Sequence, residues 1–403
     1  AITHVSYLAK VLPVSLDKNV QFNFELIPRS AAINEVVVFS KRRDANVKNA
    51  QMGKFTLPIE QIKTIPAFLG EVDLLKTIQL LPGIRNAGEG SAGLYVRGGG
   101  PDQNLILLDD APVYNTGHLF GFFSIFNSDA IKNVSLIKGG MPAQYGGRLS
   151  SVLDVAMKEG NNQKFQVEGG IGLIASRVSI QGPLKKDKAS FIVSVRRTYI
   201  DALTKPFVKK TSQFYGSGYY FYDLNTKVNF TLSEKDRLYL SGYFGRDVFT
   251  FKDASFNFLF DWGNTTGTAR WNHVFGPKLF SNTTFTYSDY RYRIRNILTG
   301  FFFNLGSNVK DANTKVDFYY QPNNRHTVRF GANATYHDFI VGRLKAGSDD
   351  GEVKFESGQT VTDVFLCSRR SGVDGATQLL QNDALPDTRT GKIFINRLGL
   401  GFH

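Results

Sequence analysis

Leu94-Tyr95-Val96-Arg97, a break at Gly98-Gly99-Gly100-Pro101-Asp102-Gln103, then Asn104-Leu105-Ile106-Leu107-Leu108 ending in Asp109-Asp110-Ala111-Pro112: this stretch, continued to Gly160, decides the fold. Two short apolar strands flank the glycines, and an aromatic run from Tyr114 to Phe126 follows, with His118, Phe120, Phe122 and Phe123 inside it. Ser128-Asp129-Ala130-Ile131 reads as a capped single helical turn, because a Ser hydroxyl can accept from orphan backbone N–H groups. Asn133 to Lys138 returns to strand, Gly139-Gly140-Met141-Pro142 and Tyr145-Gly146-Gly147-Arg148 turn, and Leu149, Ser151, Leu153, Val155 and Met157 alternate along a last strand. A phosphate cradle would need the glycines to open a helix carrying Lys-Ser/Thr. Here they lead into another apolar strand, so a hairpin is expected. Ser135-Leu136-Ile137-Lys138 formally matches a Ser-x-x-Lys nucleophile motif. Its alternation puts it on a strand, and Ser15-Leu16-Asp17-Lys18 matches equally well. Neither is read as catalytic.

Three signatures follow one another: VRGGGPDQNLILLDDAPVY, then HLFGFFSIFNSDAIKNVSLIKGG, then PAQYGGRLSSVLDVAMKEG. Together they resemble the plug domain of TonB-dependent outer-membrane receptors, in the form found in Bacteroidetes-type bacteria. The resemblance specifies the family and leaves the cargo open.

The whole chain fits that frame. Its 403 residues allow two or three domains. Aromatics are plentiful, with 34 Phe and 17 Tyr, and no run approaches the roughly 18 apolar residues of a membrane helix. A barrel strand needs only about 10 alternating residues, so a membrane is not excluded. The single cysteine, Cys367, rules out an internal disulfide, and the six histidines have no ligand spacing, so no metal or cofactor is expected. The net charge of +13 is spread along strands and turns without a basic arm or recognition helix. Nucleic acid is therefore not an expected partner; the charge reads as loops and lumen facing anionic lipopolysaccharide and cargo. Ala1-Ile2-Thr3 reads as mid-domain, so a fragment or a processed product is expected.

The expected fold class is mainly β: a small α+β plug inside an incomplete antiparallel transmembrane barrel, preceded by part of a β-sandwich. Residues 1–40 alternate through Val11, Val14, Leu16, Val20, Phe22, Phe24 and Leu26, and resemble the C-terminal part of a carboxypeptidase-regulatory-like sandwich. Glu35-Val36-Val37-Val38 resembles the family's energy-coupling box; a short β-branched strand can add to a partner's sheet edge. It reads equally as the sandwich's last strand. Residues 41–62 are assigned as linker and 63–160 as plug. Within the plug, Val72, Leu75, Ile78 and Leu81 fit one helix face that Pro82-Gly83 terminates.

Residues 161–403 read as the N-terminal part of the barrel. About eight strands are expected: Phe165–Ile180, Ser190–Ile200, Tyr222–Leu232, a strand through Leu238 to Phe244, Trp262–Phe275, Leu279–Arg295, and two around Gln321–His326. Tyr222, Leu224, Thr226, Val228 and Phe230 share one face and Asp223, Asn225, Lys227 and Asn229 the other, as lipid outside and water inside require. A soluble sheet with one wet face alternates similarly. Tyr243, Trp271, Tyr290, Tyr292 and Tyr336 are candidates for the interfacial girdle. Plugged transporters have about 22 strands, so the chain holds roughly the first third of its barrel. Beyond Gly358 the alternation fades, and Val364–Arg370 and Gln378–Gln381 fit no barrel strand.

The resemblance implies energy-coupled import of an external nutrient, not enzymology, so no catalytic residue is assigned. Expected partners are a TonB-type inner-membrane energy complex, outer-membrane lipid and a cargo that is a siderophore, cobalamin, glycan or peptide; a surface lipoprotein is a further candidate. Family structures put cargo at outward plug loops, which here are Arg85–Gly90, Gly99–Gln103 and Tyr114–Phe120. Arg85, Asp102, Gln103, Tyr114, Asn115 and His118 are the binding candidates there. Arg97 and Arg148 resemble plug arginines that pair with barrel carboxylates. A structural or secretion-associated barrel, or a surface-signalling receptor, is the alternative.

Overall fold

Period-two alternation builds most of this chain. A computed structural model describes residues 2–4, 7–10, 53–65, 70–86, 88, 93–209, 211–212, 215–253, 256–298, 301–323, 326–348, 351–353, 360–361 and 401–402. The chain divides into two compact units, residues 1–50 and 51–403. In the first, β1 (Ile2–His4) pairs antiparallel with β2 (Tyr7–Lys10). The segment Glu35–Val38 and the region Val364–Gln381 lie outside the described residues.

The second unit opens with β3 (Lys54–Pro58) and the single turn α1 (Ile59–Ile62). Both fall where a linker is expected, and β3 pairs antiparallel with Ile131–Lys138, extending the plug's sheet. Helix α2 (Leu74–Gln79) is capped by Asp73, whose carboxylate accepts from the Lys76 N–H at 3.0 Å. Leu74, Leu75 and Ile78 are buried, and Val72 and Leu81 pack against the same core, as the spacing predicts.

β4 (Ile84–Asn86) pairs with β5 (Leu94–Val96). After the glycines the chain makes one 3-10 turn, Pro101–Gln103, and enters β6 (Asn104–Leu108). The expected hairpin is therefore absent: β6 pairs parallel with a distant strand and antiparallel with β7 (Ala111–Pro112). Local apolar runs cannot reveal which sheet a strand joins. β8 (Gly117–His118) and β9 (Phe123–Ser124) form a small hairpin. The expected helical turn at Ser128 is a plain turn, and its cap is Asn127, whose Oδ1 accepts from the Asp129 N–H at 3.1 Å. β10 (Ile131–Lys138) and β11 (Ser151–Met157) complete a sheet ordered β3-β10-β11-β6-β7. Its core includes Ile59, Ile62, Ile78, Val134, Leu136, Leu153 and Val155; each such side chain contributes roughly 1.5–3 kcal/mol on burial.

A meander follows: β12 (Gln166–Ile171), β13 (Ala175–Lys185), β14 (Ala189–Thr198), α3 (Ile200–Thr204), β15 (Gly218–Thr231), β16 (Asp236–Lys252), β17 (Phe256–Gly276), β18 (Leu279–Leu298), β19 (Phe301–Asn323) and β20 (His326–Ser348). Short pieces β21 (Gly351–Val353), β22 (Thr360–Val361) and β23 (Gly401–Phe402) pair with β20. Phe165–Ile180, expected as one strand, is a hairpin, because the Gly172 N–H bonds the Ala175 carbonyl at 2.8 Å and turns the chain.

Leu224, Val195, Leu240 and Phe285 are exposed on the outer face, whereas Asp223, Asn225 and Lys227 are buried against the plug. The alternation thus has the expected sense. Trp271 and Tyr336 face outward, but Tyr243, Tyr290 and Tyr292 do not. Tyr243 shares the inward parity of Asn225, its register partner, and its hydroxyl donates to Asp223 at 2.8 Å. Tyr290 packs on Tyr114 of the plug, and Tyr292 joins the luminal aromatics.

Candidate functional site

Three successive residues with positive φ, Leu119 (49°), Phe120 (53°) and Gly121 (104°), turn the chain between β8 and β9. Glycine takes this conformation freely, but a side chain pays of order 1–2 kcal/mol per residue. The barrel wall holds the turn in place: the Leu119 N–H lies 2.6 Å from the Tyr219 hydroxyl and 3.1 Å from Asp247 Oδ1. Phe120 is thereby thrust off the plug, 53% exposed, with its ring 5.1 Å from Trp262, edge-on to Phe249 at 5.7 Å and 6.2 Å from Phe260. Phe122 beside it is also exposed. The crest is an aromatic ledge that continues onto the inner wall.

His118, at the base of this crest, is its anchor. Its Nδ1 lies 2.6 Å from Asp247 Oδ2 and its Nε2 2.8 Å from Asp223 Oδ1, and the ring stacks on Phe221 at 4.0 Å. Burial alone would lower the imidazole's pKa, but the two carboxylates outweigh it and raise the value to about 9. Each ring nitrogen faces a carboxylate, so the imidazolium donates to both. Arg196 closes the network. It donates to Asp223 Oδ2 through Nη2 at 2.6 Å and Nε at 2.8 Å, bonds the Ser124 carbonyl of the plug at 2.7 Å, and lies 3.6 Å from Glu71.

Further along the same face, Asp109 meets Lys227 at 2.9 Å and Asp110 meets Arg270. Burial pushes the Asp110 carboxyl up, but Arg270, Lys315 and Lys227 together hold it below the usual carboxylate range. Asp129 takes Arg177 at 2.7 Å and Lys63 at 2.9 Å, and the Tyr114 hydroxyl bonds Asp311. Thr268, Ser288 and Asn264 donate to the Asp109, Pro112 and Asn115 carbonyls at 2.7–2.8 Å. This part of the plug's seating is therefore polar, beside the apolar cluster of Phe123 with Tyr219, Phe221 and Trp262. Such polar contacts can be exchanged for water as the plug shifts, at a cost of about 0.5–1.5 kcal/mol each for neutral bonds.

The expected binding residues divide. Tyr114, Asn115 and His118 lie at this face, but they are committed to the wall rather than offered on an open loop, and His118 is 1% exposed. Arg85 and Asp102 are exposed elsewhere, and Gln103 accepts from the Leu149 and Ser150 N–H groups through its carbonyl. No contact among the described residues joins these three to the crest. Arg97 and Arg148 do not pair with barrel carboxylates among the described residues. Arg97 sits in a turn at φ 49° with its guanidinium over Gly139, and Arg148 donates to the neighbouring Gly147 carbonyl at 2.8 Å. A plug cation that does meet barrel carboxylates is His118, on Asp223 and Asp247, and plug carboxylates face barrel Arg177, Arg196, Lys227 and Arg270. Asp109 and Asp110 make a turn, at φ 47° and 69°, and Asp109 Oδ1 accepts from the Met157 N–H at 2.9 Å. Sequence reading missed Glu71, Arg196, Asp247, Trp262 and Phe249; of these, the inward parity of Asp247 with Asp223 was a usable signal.

Residues 61–151 match the family model described as the TonB-dependent Receptor Plug Domain. No curated protein sequence matches the chain. Among solved structures it is similar to the outer membrane transporter YddB from Escherichia coli, with TM-score 0.57 and 12% identity over 77% of this chain and 53% of that one. It is also similar to the copper transporter OprC, with TM-score 0.55 and 9% identity over 76% of this chain and 49% of that one. A third is the ferric yersiniabactin uptake receptor FyuA from Yersinia pestis, with TM-score 0.51 and 12% identity over 78% of this chain and 61% of that one. The chain thus spans about half to three-fifths of their length. At such identity the likeness shows the fold. The chain thus carries a TonB-dependent receptor plug domain over residues 61–151, set against a sheet with the fold of outer-membrane receptor barrels.

Proposed function

We propose that this chain, the plug and leading barrel strands of a TonB-dependent outer-membrane receptor, captures an external nutrient on its aromatic crest and releases it inward when an inner-membrane energy complex unseats the plug. The observation that carries this reading is Phe120: an exposed aromatic, held in a costly backbone conformation, among the wall aromatics Phe249, Phe260 and Trp262. Residues held in sparsely populated backbone regions cluster at binding and switching sites. The polar seating supports the second half, since the ionic contacts hold the plug while giving it somewhere to move. Pull is assigned to Glu35–Val38 by strand addition to a partner's sheet. The chain carries out no bond chemistry in this scheme.

The test uses the full-length receptor in a strain lacking its own copy, offered labelled ferric siderophores, cobalamin, oligosaccharides and peptides. For whichever is imported, Phe120→Ala should weaken equilibrium binding roughly tenfold, the scale of one lost aromatic contact set. Val37→Pro removes a main-chain donor, so it should leave binding intact and abolish uptake. Parental uptake by Val37→Pro would overturn the coupling assignment; parental affinity in Phe120→Ala would move the site off the crest.

A further inference from the structure

The sequence Arg291-Tyr292-Arg293-Ile294-Arg295 puts three arginines two residues apart on β18. Tyr292 and Tyr290, the intervening and preceding residues, pack among luminal aromatics, so the arginines face outward. Across β17 they lie in register with Gly263, Asp261 and Leu259, and Gly263 is opposite Arg246 on β16. Asp261, whose side chain is 4% exposed, holds Arg293 at 2.9 Å and also takes Arg246. Asp289 takes Arg291. Arg295 is exposed and has no carboxylate partner among the described residues. Four guanidiniums therefore stand against two carboxylates, while Lys310 and Asp338, opposite each other in register on β19 and β20, cancel.

This belt begins where the apolar band ends. On the same outer face, Phe285 and Tyr287 of β18 and Leu240 and Phe244 of β16 are exposed. Tyr287 precedes Arg291 by four residues, about 13 Å along the strand. The belt lies toward the end of the sheet that carries the 199–217 connection. That end also has the short connections 253–255 and 299–300, but 199–217 is longer than the turns at 186–188, 232–235 and 277–278 on the other end, and the longer loops of such barrels are extracellular.

We infer that Arg246, Arg291, Arg293 and Arg295 form a binding surface for the phosphates of an outer-leaflet lipid whose acyl chains lie along Phe244, Phe285 and Tyr287. The inference rests on the strands' spanning the outer membrane. Guanidinium groups match phosphate oxygens bidentately and dehydrate more readily than ammonium groups. Successive arginines are about 7 Å apart along the strand, which suits two phosphates on one headgroup. The buried Asp261 fixes Arg246 and Arg293 in place, so less ordering entropy is lost when the lipid docks. A soluble anion would find the same charges but not the apolar band, and this distinguishes a lipid from free phosphate.

The experiment uses full-length receptor purified in a non-ionic detergent, with binding read by native mass spectrometry. The probes are bis-phosphorylated lipid A, its fully dephosphorylated form, and inositol hexakisphosphate as a chainless polyphosphate. Bis-phosphorylated lipid A should bind most tightly, and Arg293→Gln/Arg295→Gln should weaken it at least about tenfold, as expected for lost charge-assisted bonds. Arg295→Gln alone touches no ion pair and should weaken it by a smaller factor with unchanged heat-modifiability. That variant keeps the test meaningful if the double variant folds poorly. Equal binding by the variants, or equal binding of the dephosphorylated lipid, would overturn the inference. Competition by inositol hexakisphosphate as strong as by the lipid would overturn the choice of a lipid. No cargo is present, so failure here leaves the receptor reading standing.

Discussion

His118 Nδ1 lies 2.6 Å from Asp247 Oδ2, a contact between residues 129 apart in sequence that ties the plug's crest to the barrel wall. With Asp223 on the other ring nitrogen, it is a charge-dependent tether. The folded-state pKa is raised to about 9 from an ordinary 6.5. A raised histidine contributes stability that is fully present below about pH 6.5 and is lost as pH rises through about 9, a contribution of order 3 kcal/mol. Hydrogen exchange of residues 114–126 in the full-length receptor should therefore accelerate between pH 6.5 and 9, beyond the intrinsic base catalysis of exchange. His118→Gln should remove that pH dependence. A flat profile in the parent would show that the imidazolium is not the tether.

Arg196 joins Asp223 and Glu71 while 2% exposed. Arg196→Met takes one of two cations from each of two buried carboxylates, leaving Asp223 to His118 and Glu71 to Arg177, so the loss should be a part of the about 3–5 kcal/mol of an unpaired buried charge. The loss should appear in the plug. Protease sensitivity of residues 63–160 should rise and large antibiotics should leak inward, while the barrel stays heat-modifiable. An unchanged melt and unchanged antibiotic exclusion would assign the plug's seating to the other anchors.

Gly160, where plug passes into barrel, has φ 80°, and a Cβ there would meet the Phe191 carbonyl oxygen at 2.3 Å. Neither backbone can yield cheaply. Gly160→Ala should destabilise by more than 1 kcal/mol, about the cost of the left-handed conformation alone. Thermal melting of the full-length receptor checks this, with Gly267→Ala, where a Cβ meets nothing within 4 Å, as the comparison.

Leu240 is exposed on the outer face, in register with Ala269 and Val228. Leu240→Arg would put a charge in the apolar band, costing about 2–4 kcal/mol near the bilayer midplane. Ser241→Arg would instead point inward toward the plug, where Thr268, its register partner, bonds Asp109. The folded fraction on cold gels after refolding into liposomes should fall for Leu240→Arg. Equal folding with the parent would reverse the assigned faces.

The sequence alone determined the plug, whose signatures run in order from Val96 to Gly160, and the sense of the barrel alternation, since the polar set Asp223, Asn225 and Lys227 lines the plug. It also held two signals that went unused. The parity of Leu238, Leu240 and Phe244 by itself puts Tyr243 inside, and that of Phe285 and Tyr287 does the same for Tyr290 and Tyr292. Period two is a local property, so one residue fixes the phase of its whole strand. What only the tertiary structure decided is which charges meet. Asp223 and His118 are 105 residues apart, and Arg270 and Asp110 are 160 apart. An ion pair depends on distance in space, and no spacing along the chain encodes that distance. For the same reason nothing along the chain showed that His118, rather than Arg97 or Arg148, is a plug cation that meets barrel carboxylates among the described residues. The Gly98–Gly100 break joins two sheets rather than two hairpin strands because β6 finds its partner in β11, more than forty residues later.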